Sequence, residues 1–133
     1  MWQILIVDDD FNTRKMLNRI LHRRALVDHA VNGLEAMTAY EFSLHHHEPY
    51  DVILLDITMP EMDGVAVLKE IRNREAAMGV PAGEGVPIIM VTGRTDKRAV
   101  CAELGCNDYM DKPVSPTQLL GGIRKWVDRA AAV

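Results

Sequence analysis

Short, nearly unbroken apolar runs alternate along this chain with longer segments whose apolar residues recur every three or four positions. Gln3 to Val7 is an apolar run ending in three acids, Asp8, Asp9 and Asp10; Asn12 then opens a helix with apolar positions Met16, Leu17, Ile20 and Leu21. Leu26 to Val31 reads as a second strand. The Asn32-Gly33 turn starts a second helix, which carries Leu34, Met37 and Tyr40 on its apolar side and Glu41 toward solvent as far as about Leu44. Val52 to Leu55 is wholly aliphatic, as expected of a strand buried on both faces, and runs straight into Asp56. Pro60 forbids continuation of a ladder. Asp63 offers an N-cap and Gly64 a permissive residue ahead of the helical pattern Val65, Leu68, Ile71, which should stop near Met78 because Gly79, Pro81, Gly83 and Gly85 cannot extend it.

Val86 to Val91 is the fourth strand, with Pro87 at its start and Thr92-Gly93 at its end. A fourth helix from about Thr95 to Leu104 closes on Gly105. Asn107 to Met110 makes a short fifth strand ending at Lys112-Pro113, after which Ser115-Pro116 caps a fifth helix with the core stripe Leu119, Leu120, Ile123, Trp126 and Val127. Gly121-Gly122 should cost this helix about 1 kcal/mol each relative to alanine. Two readings are open there: a locally frayed helix, or a close approach of its backbone to something, such as a partner.

Strands alternating with helices imply parallel pairing with helices on both faces, because crossovers between parallel strands are almost always right-handed. The expected fold is α/β, a five-stranded parallel doubly wound sheet in the flavodoxin-like order 2-1-3-4-5, with five helices on two faces. In that order the first and third strands are neighbours where the chain order reverses, so Asp8 and Asp9 meet Asp56 in one crevice.

Carboxylates so close repel one another, and at least one pKa should rise unless a cation is present. Mg²⁺, which prefers oxygen ligands and usually takes one or two carboxylates plus waters and a phosphate, resolves the conflict. The metal could serve a bound phosphate ester, or Asp56 could itself be a nucleophile that accepts a phosphoryl group. The fourth and fifth strand tips help to decide. They bring a hydroxyl, Thr92, and an ammonium, Lys112, a set that matches phosphoryl transfer to a carboxylate.

The remaining composition narrows the field. A length of 133 residues suits one domain and leaves no room for a second core. The net charge is −4 and no Lys/Arg run could track a phosphate backbone, so direct nucleic-acid binding is disfavoured. No apolar stretch approaches the ~18 residues of a membrane span, and Met1-Trp2-Gln3 lacks an export signal; a cytoplasmic protein is expected. Cys101 and Cys106 read as two reduced thiols, and His45-His46-His47 as a solvated loop, since adjacent histidines do not converge on one ion. The Gly79 to Pro87 segment reads as a plain solvent loop at the end of the sheet opposite the crevice.

Across nearly its whole length the sequence resembles the receiver domain of two-component response regulators. The resemblance is carried by Asp8-Asp9 after Ile4-Leu5-Ile6-Val7, by Asp56 within Leu55-Asp56-Ile57-Thr58-Met59-Pro60-Glu61-Met62-Asp63-Gly64, by Thr92 followed by Gly93, and by Lys112-Pro113. Each motif is weak alone; in this order, at strand ends, they are specific. The resemblance implies that Asp56 accepts a phosphoryl group from the phosphohistidine of a sensor histidine kinase or histidine phosphotransfer protein. It implies that Asp9, Asp56 and the Thr58 backbone carbonyl hold Mg²⁺, with Asp8 assisting mainly through water. Thr92 and Lys112 would contact the phosphoryl oxygens, Tyr109 would be the switch aromatic, and the Lys112-Pro113 bond would be cis. The changed charge would switch the face of helix four, strand five and helix five toward a downstream protein or a phosphorylation-dependent dimer.

Met1 leads directly into the first strand and a short tail follows the fifth helix, so one receiver domain over 1–133 without an output domain is expected. Thr58 and Arg94 occupy the two positions that tune phosphoryl lifetime in that family, and Arg94 could equally shield the phosphoryl group or lie in solvent. The alternative function is a Mg²⁺-dependent phosphatase of haloacid-dehalogenase type, which needs a second acid where Thr58 stands. A flavin carrier needs a neutral phosphate loop where Asp8-Asp9-Asp10 stands.

Overall fold

Alternate residues of each central strand enter two separate cores. Ile4 and Ile6 of the first strand pack with Val52 and Leu54 of the third, while Leu5 and Val7 pack on the other face with Ile53 and Leu55. This explains the unbroken apolar runs, since both faces of the strands are covered. In the computed structural model, residues 1–131 are described. Among them the order of elements is β1 (Trp2–Val7), α1 (Phe11–Leu21), β2 (Ala25–Ala30), α2 (Gly33–His45), β3 (Val52–Leu55), α3 (Gly64–Ala77), β4 (Ile88–Thr92), α4 (Arg98–Leu104), β5 (Asp108–Asp111) and α5 (Pro116–Ala131). The strands form one parallel sheet in the order β2-β1-β3-β4-β5.

Leu17 and Leu21 of α1 share one core with Leu119 and Ile123 of α5. The other core takes Ala36 and Tyr40 of α2, Val67, Leu68 and Ile71 of α3, and Cys101 of α4. Each such aliphatic side chain contributes about 1.5–3 kcal/mol relative to exposure.

The boundaries differ from the sequence expectation where side chains compete for the backbone. Helix α1 begins at Phe11, one residue before Asn12, because the Asp10 carboxylate caps it, accepting from the Asn12 N–H at 3.3 Å and the Thr13 hydroxyl at 2.8 Å. Strand β2 is shifted one residue earlier by its register with β1, which runs from Trp2 opposite Ala25 to Val7 opposite Ala30. Strand β4 starts at Ile88, since Pro87 has no N–H to give, although its carbonyl still accepts from Ile53 at 2.9 Å. Helix α4 starts at Arg98, three residues after Thr95, with no side chain capping it; the nearby Asp96 carboxylate is engaged by Arg94 instead. In β5 the ladder begins at Asp108, one residue late, while the Asn107 side-chain oxygen takes the Ile88 N–H at 2.9 Å.

The Gly79 to Pro87 segment is more than a solvent loop. Glu75, only 6% exposed, accepts the Val86 N–H at 2.6 Å with one carboxylate oxygen and Arg72 at 2.7 Å with the other. Arg72 in turn donates to the Gly105 carbonyl and to the Asn107 side chain, each at 3.0 Å, so one partly buried ion pair ties α3, the loop before β4 and the loop before β5. Gly85 lies against that carboxylate, where a Cβ would sit 2.1 Å from Glu75 Oε1.

The glycine pair of α5 is also resolved. A Cβ at Gly122 would fall 2.3 Å from the Met110 Cε of β5, whereas Gly121 faces open space, so the close approach is to the sheet and the helix continues through both residues. His45 ends α2, with His46 and His47 exposed after it and the His46 ring stacked on Phe42. Cys101 and Cys106 are unbridged thiols.

Replacing Glu75 by alanine leaves the Val86 N–H and the Arg72 guanidinium without their acceptor at once. We expect a loss of about 2–4 kcal/mol in urea unfolding, with the crevice at the other end of the sheet unchanged.

Candidate functional site

Register places the acids. Val7 of β1 lies opposite Leu55 of β3, so Asp8 and Asp56 emerge side by side from adjacent strand tips, and the Asp56 N–H donates to the Val7 carbonyl at 2.9 Å. Both side chains are buried, at 2% and 6% exposure, while the adjoining Asp9 is exposed. One carboxylate oxygen from each of Asp8, Asp9 and Asp56 lies within 4.8 Å of the others.

A cation from the far edge of the sheet answers this charge. Thr92 pairs with Asp111 in the β4–β5 ladder, and Lys112 follows, reaching back across β4. Its Nζ stands 2.7 Å from Asp8 Oδ2 and 2.9 Å from Asp56 Oδ2. Burial works against the charged ammonium, but hydrogen bonds to the two carboxylates outweigh it and hold the Lys112 pKa above the usual lysine value. Burial likewise pushes the Asp8 carboxyl up, against the opposing pull of Lys112 and of the Asp10 N–H that bonds it at 2.9 Å. The Lys112-Pro113 peptide is cis, as the family resemblance implied.

The turn after β3 closes over Asp56 with almost no spare room. Asp56 Oδ1 accepts the Ile57 N–H at 2.7 Å, and the Gly64 N–H returns to the Ile57 carbonyl at 2.8 Å. A Cβ on Gly64 would sit 1.9 Å from the Asp56 carbonyl oxygen, so residue 64 must be glycine for close approach as well as for its place after the Asp63 cap. Within this turn Glu61 takes a left-handed φ of 67°, a conformation few side chains adopt. Gly33 at the start of α2 braces it, since a Cβ there would meet the Met62 carbonyl at 2.5 Å. Thr58 is exposed, and among the described residues no backbone N–H donates to its carbonyl, which leaves that oxygen's lone pairs open.

Thr92 and Tyr109 are joined to each other through one residue. The buried Thr92 Oγ1 accepts the Arg94 N–H at 3.1 Å, and the Tyr109 hydroxyl donates to the Arg94 carbonyl. Tyr109 is itself buried, with the Arg98 guanidinium 4.7 Å above its ring. The Arg94 side chain turns to Asp96, making two hydrogen bonds of 2.8 Å. The Arg94 side chain thus lies in solvent, 43% exposed, with Asp96 as its partner.

Several participants were not singled out from sequence. Asp96 is one, and Arg14, whose Nη1 donates to the Asp8 carbonyl at 2.8 Å, is another. Arg14 lies one helical turn beyond the Asp10 cap, and that spacing was its available signal. Asp10 does serve the helix N-terminus as expected, and its hydrogen bond from Thr13 holds its pKa below the usual carboxylate value.

Fold and site together define a parallel doubly wound α/β domain with a three-carboxylate crevice at the switch point and a lysine closing it. The chain belongs to the response regulator receiver domain family, whose model matches residues 4–124. It is 34% identical over 130 residues to the probable transcriptional regulatory protein SilR of Salmonella typhimurium, an alignment covering 96% of this chain and 51% of that protein. With the transcriptional regulatory protein ResD of Bacillus subtilis the identity is 35%, over 97% of this chain and 49% of the relative. The chain thus spans about half the length of the curated relatives it matches. Among solved structures, a CheY-like receiver domain protein from Methanospirillum hungatei superposes with a TM-score of 0.82 at 27% identity, covering 99% of this chain and 98% of that one. The Vibrio cholerae chemotaxis protein CheY4 gives 0.78 at 27% identity, over 94% and 98% of the two chains. Among the described residues no helix is long and apolar enough to cross a membrane.

The Arg94 hydrogen bonds hold the Asp96 carboxyl down at about 2. A depressed carboxylate pKa contributes stability that is present above the ordinary value near 4 and is lost as pH falls through the folded value near 2. A carbon-detected NMR titration should therefore find Asp96 titrating near pH 2, and in Arg94→Gln it should return toward the ordinary range.

Proposed function

We propose that Asp56 of this receiver domain accepts a phosphoryl group from the phosphohistidine of a sensor histidine kinase or a histidine phosphotransfer protein. In that step an Asp56 carboxylate oxygen bonds to phosphorus as the phosphorus–nitrogen bond to histidine breaks. The imidazole nitrogen keeps the electron pair and leaves as neutral imidazole, its one proton already on the other ring nitrogen or taken up from solvent. The observation that carries the reading is the placement of the Lys112 ammonium within hydrogen-bond distance of both Asp8 and Asp56, with Asp9 completing the acidic group.

The donor set fits Mg²⁺: hard carboxylate oxygens, an open carbonyl and an exposed remainder for water and phosphate. Asp9, Asp56 and the Thr58 carbonyl would hold it, with Asp8 acting mainly through water, and when bound it supplies neutralisation of the phosphoryl oxygens. Lys112 provides the fixed positive charge on the opposite side, and its bond to Asp56 is exchanged for one to a phosphoryl oxygen. Thr92 receives the Arg94 N–H on a lone pair, so its own proton remains to be donated to the phosphoryl group. Drawing Thr92 toward Asp56 shifts Arg94, and with it the acceptor of the Tyr109 hydroxyl.

That connection carries the change to the face of α4, β5 and α5, where a downstream protein or a second copy would bind. The likeness to SilR and ResD points to transcriptional control as the output governed by that face. Cytoplasmic location follows from the same reading. Family membership lends no support to the haloacid-dehalogenase-type phosphatase, and Thr58 supplies no acid for it.

Intact-protein mass spectrometry after incubation with acetyl phosphate and Mg²⁺ tests the acceptor. One phosphoryl adduct should form on the wild type, and none on Asp56→Asn or when Mg²⁺ is chelated; an adduct persisting on Asp56→Asn would refute the assignment. Lys112→Ala should still be phosphorylated yet lose the change in partner or self-association. Wild-type behaviour in that binding measurement would remove Lys112 from the switch.

A further inference from the structure

Strand β2 is an open edge with an apolar wall beside it. Among the described residues it pairs with β1 alone, in unbroken register, and it has neither a proline nor a bulge of the kind that usually guards an edge. The Arg24 carbonyl accepts the Trp2 N–H and the Ala30 carbonyl the Asp8 N–H, so the even-numbered residues are bonded to β1. The backbone groups of Ala25, Val27 and His29 therefore face outward.

Side chains continue the pattern. Ala30 lies in the core with Ala36 and Tyr40 of α2, which puts Leu26 and Asp28 on the side of the sheet that this helix covers. Helix α2 runs back along β2, and nine residues of helix at ~1.5 Å or four of strand at ~3.3 Å each span about 13 Å, so Phe42 comes level with Leu26. Leu26, Leu34 and Phe42 are all more than half exposed, although a solvated helix face is ordinarily polar. Leu34, Thr38 and Phe42 follow at four-residue intervals as one wall of a groove that Asp28 also lines.

This edge has a register in which it complements itself. Antiparallel bonding joins outward-facing residues, hence odd numbers to odd. Centred on Val27, it sets each Asp28 against Leu26 of the other copy, and centred on Asp28 it sets the two acids against each other. Centred on Leu26, it sets Leu26 against Leu26, bonds Ala25 to Val27 in both directions, and brings Arg24 opposite Asp28 twice. Arg24 is exposed and makes no ion pair among the described residues. The Tyr50 hydroxyl donates to one Asp28 carboxylate oxygen at 2.7 Å and leaves the other for that arginine. The exposed Phe42 of each copy lies beside the same axis.

We propose that β2 is a self-association edge: two copies of this chain pair their β2 strands antiparallel about Leu26, with Arg24 of each on Asp28 of the other, joining two five-stranded sheets into one. The contact is separate from the face of α4, β5 and α5 and does not require phosphorylation of Asp56. One strand pair and one helix contact make a small interface, so association is weak and depends on concentration.

Sedimentation at rising protein concentration, without phosphodonor, tests this together with amide hydrogen exchange followed by NMR. Wild type and Asp56→Asn should dimerise alike, and the Ala25 and Val27 amides should become protected as dimer forms. Arg24→Glu and Asp28→Arg should each weaken dimerisation about tenfold by facing like charges, and the double variant, which restores the pairs in reverse, should return to within about threefold of wild type. A wild type that stays monomeric at millimolar concentration would overturn the proposal. So would a dimer that leaves the Ala25 and Val27 amides unprotected, or one that the double variant fails to restore. A dimer that forms only with acetyl phosphate and Mg²⁺, and not in Asp56→Asn, would overturn this proposal while leaving the acceptor reading intact.

Discussion

Like charge is gathered at one end of this sheet by the direction of its strands. Parallel β1 and β3 finish at the same edge, and their register sets Asp8 beside Asp56 with both carboxylates nearly out of water. Two such groups repel one another, the more strongly as the surrounding dielectric falls, and a counter-charge offsets that repulsion. Lys112 supplies it from β5, two strands away, and spans both acids. The order β2-β1-β3-β4-β5 is thus a condition of the chemistry: with another order, the lysine and the acids would not face one crevice.

Holding three strand tips in register requires rigidity behind them. The cores on the two faces of the sheet provide most of it, and the end opposite the crevice is secured by Glu75, Arg72 and Asn107, whose hydrogen bonds join α3 to the loops entering β4 and β5. At the crevice itself, the chain is held by short-range contacts. Gly64 lies against the Asp56 carbonyl, and Arg14 takes the carbonyl of Asp8. The two ends of the sheet therefore do different work. One is closed by a partly buried ion pair, and the other leaves charged groups facing water.

Arg94 lies where the crevice meets the surface of α4 and β5. Its main chain touches Thr92 on one side and Tyr109 on the other, and the Tyr109 ring lies beneath Arg98 of α4. A displacement of Thr92 has a continuous route of contacts to that surface. Its side chain, paired with Asp96, is separate from that route.

Much of this was legible in the chain. The alternation of apolar runs and helical patterns contains the fold class, because a sheet covered on both faces demands continuous aliphatic strands, and right-handed crossovers leave few orders to choose from. Asp8, Asp9, Asp56, Thr92 and Lys112 were legible because each stands at or just beyond the end of a strand, on the edge of the sheet where the crevice lies. What sequence could not show depends on groups brought together by packing. Asn107 and Glu75 look like ordinary surface polar residues until their partners from distant loops reach them. Gly122 looks like a weakness in α5 until Met110 is seen to occupy the space a side chain would need. Arg94 and Asp96 are two residues apart, a spacing that permits a contact without requiring one, and only the tied backbone at the tip of β4 turned one toward the other. Local pattern determined which elements form and which residues end them, because helix and strand periodicity are properties of neighbouring residues. The tertiary structure decided which polar groups satisfy one another, because hydrogen bonds between distant segments exist only once the sheet has set their distances.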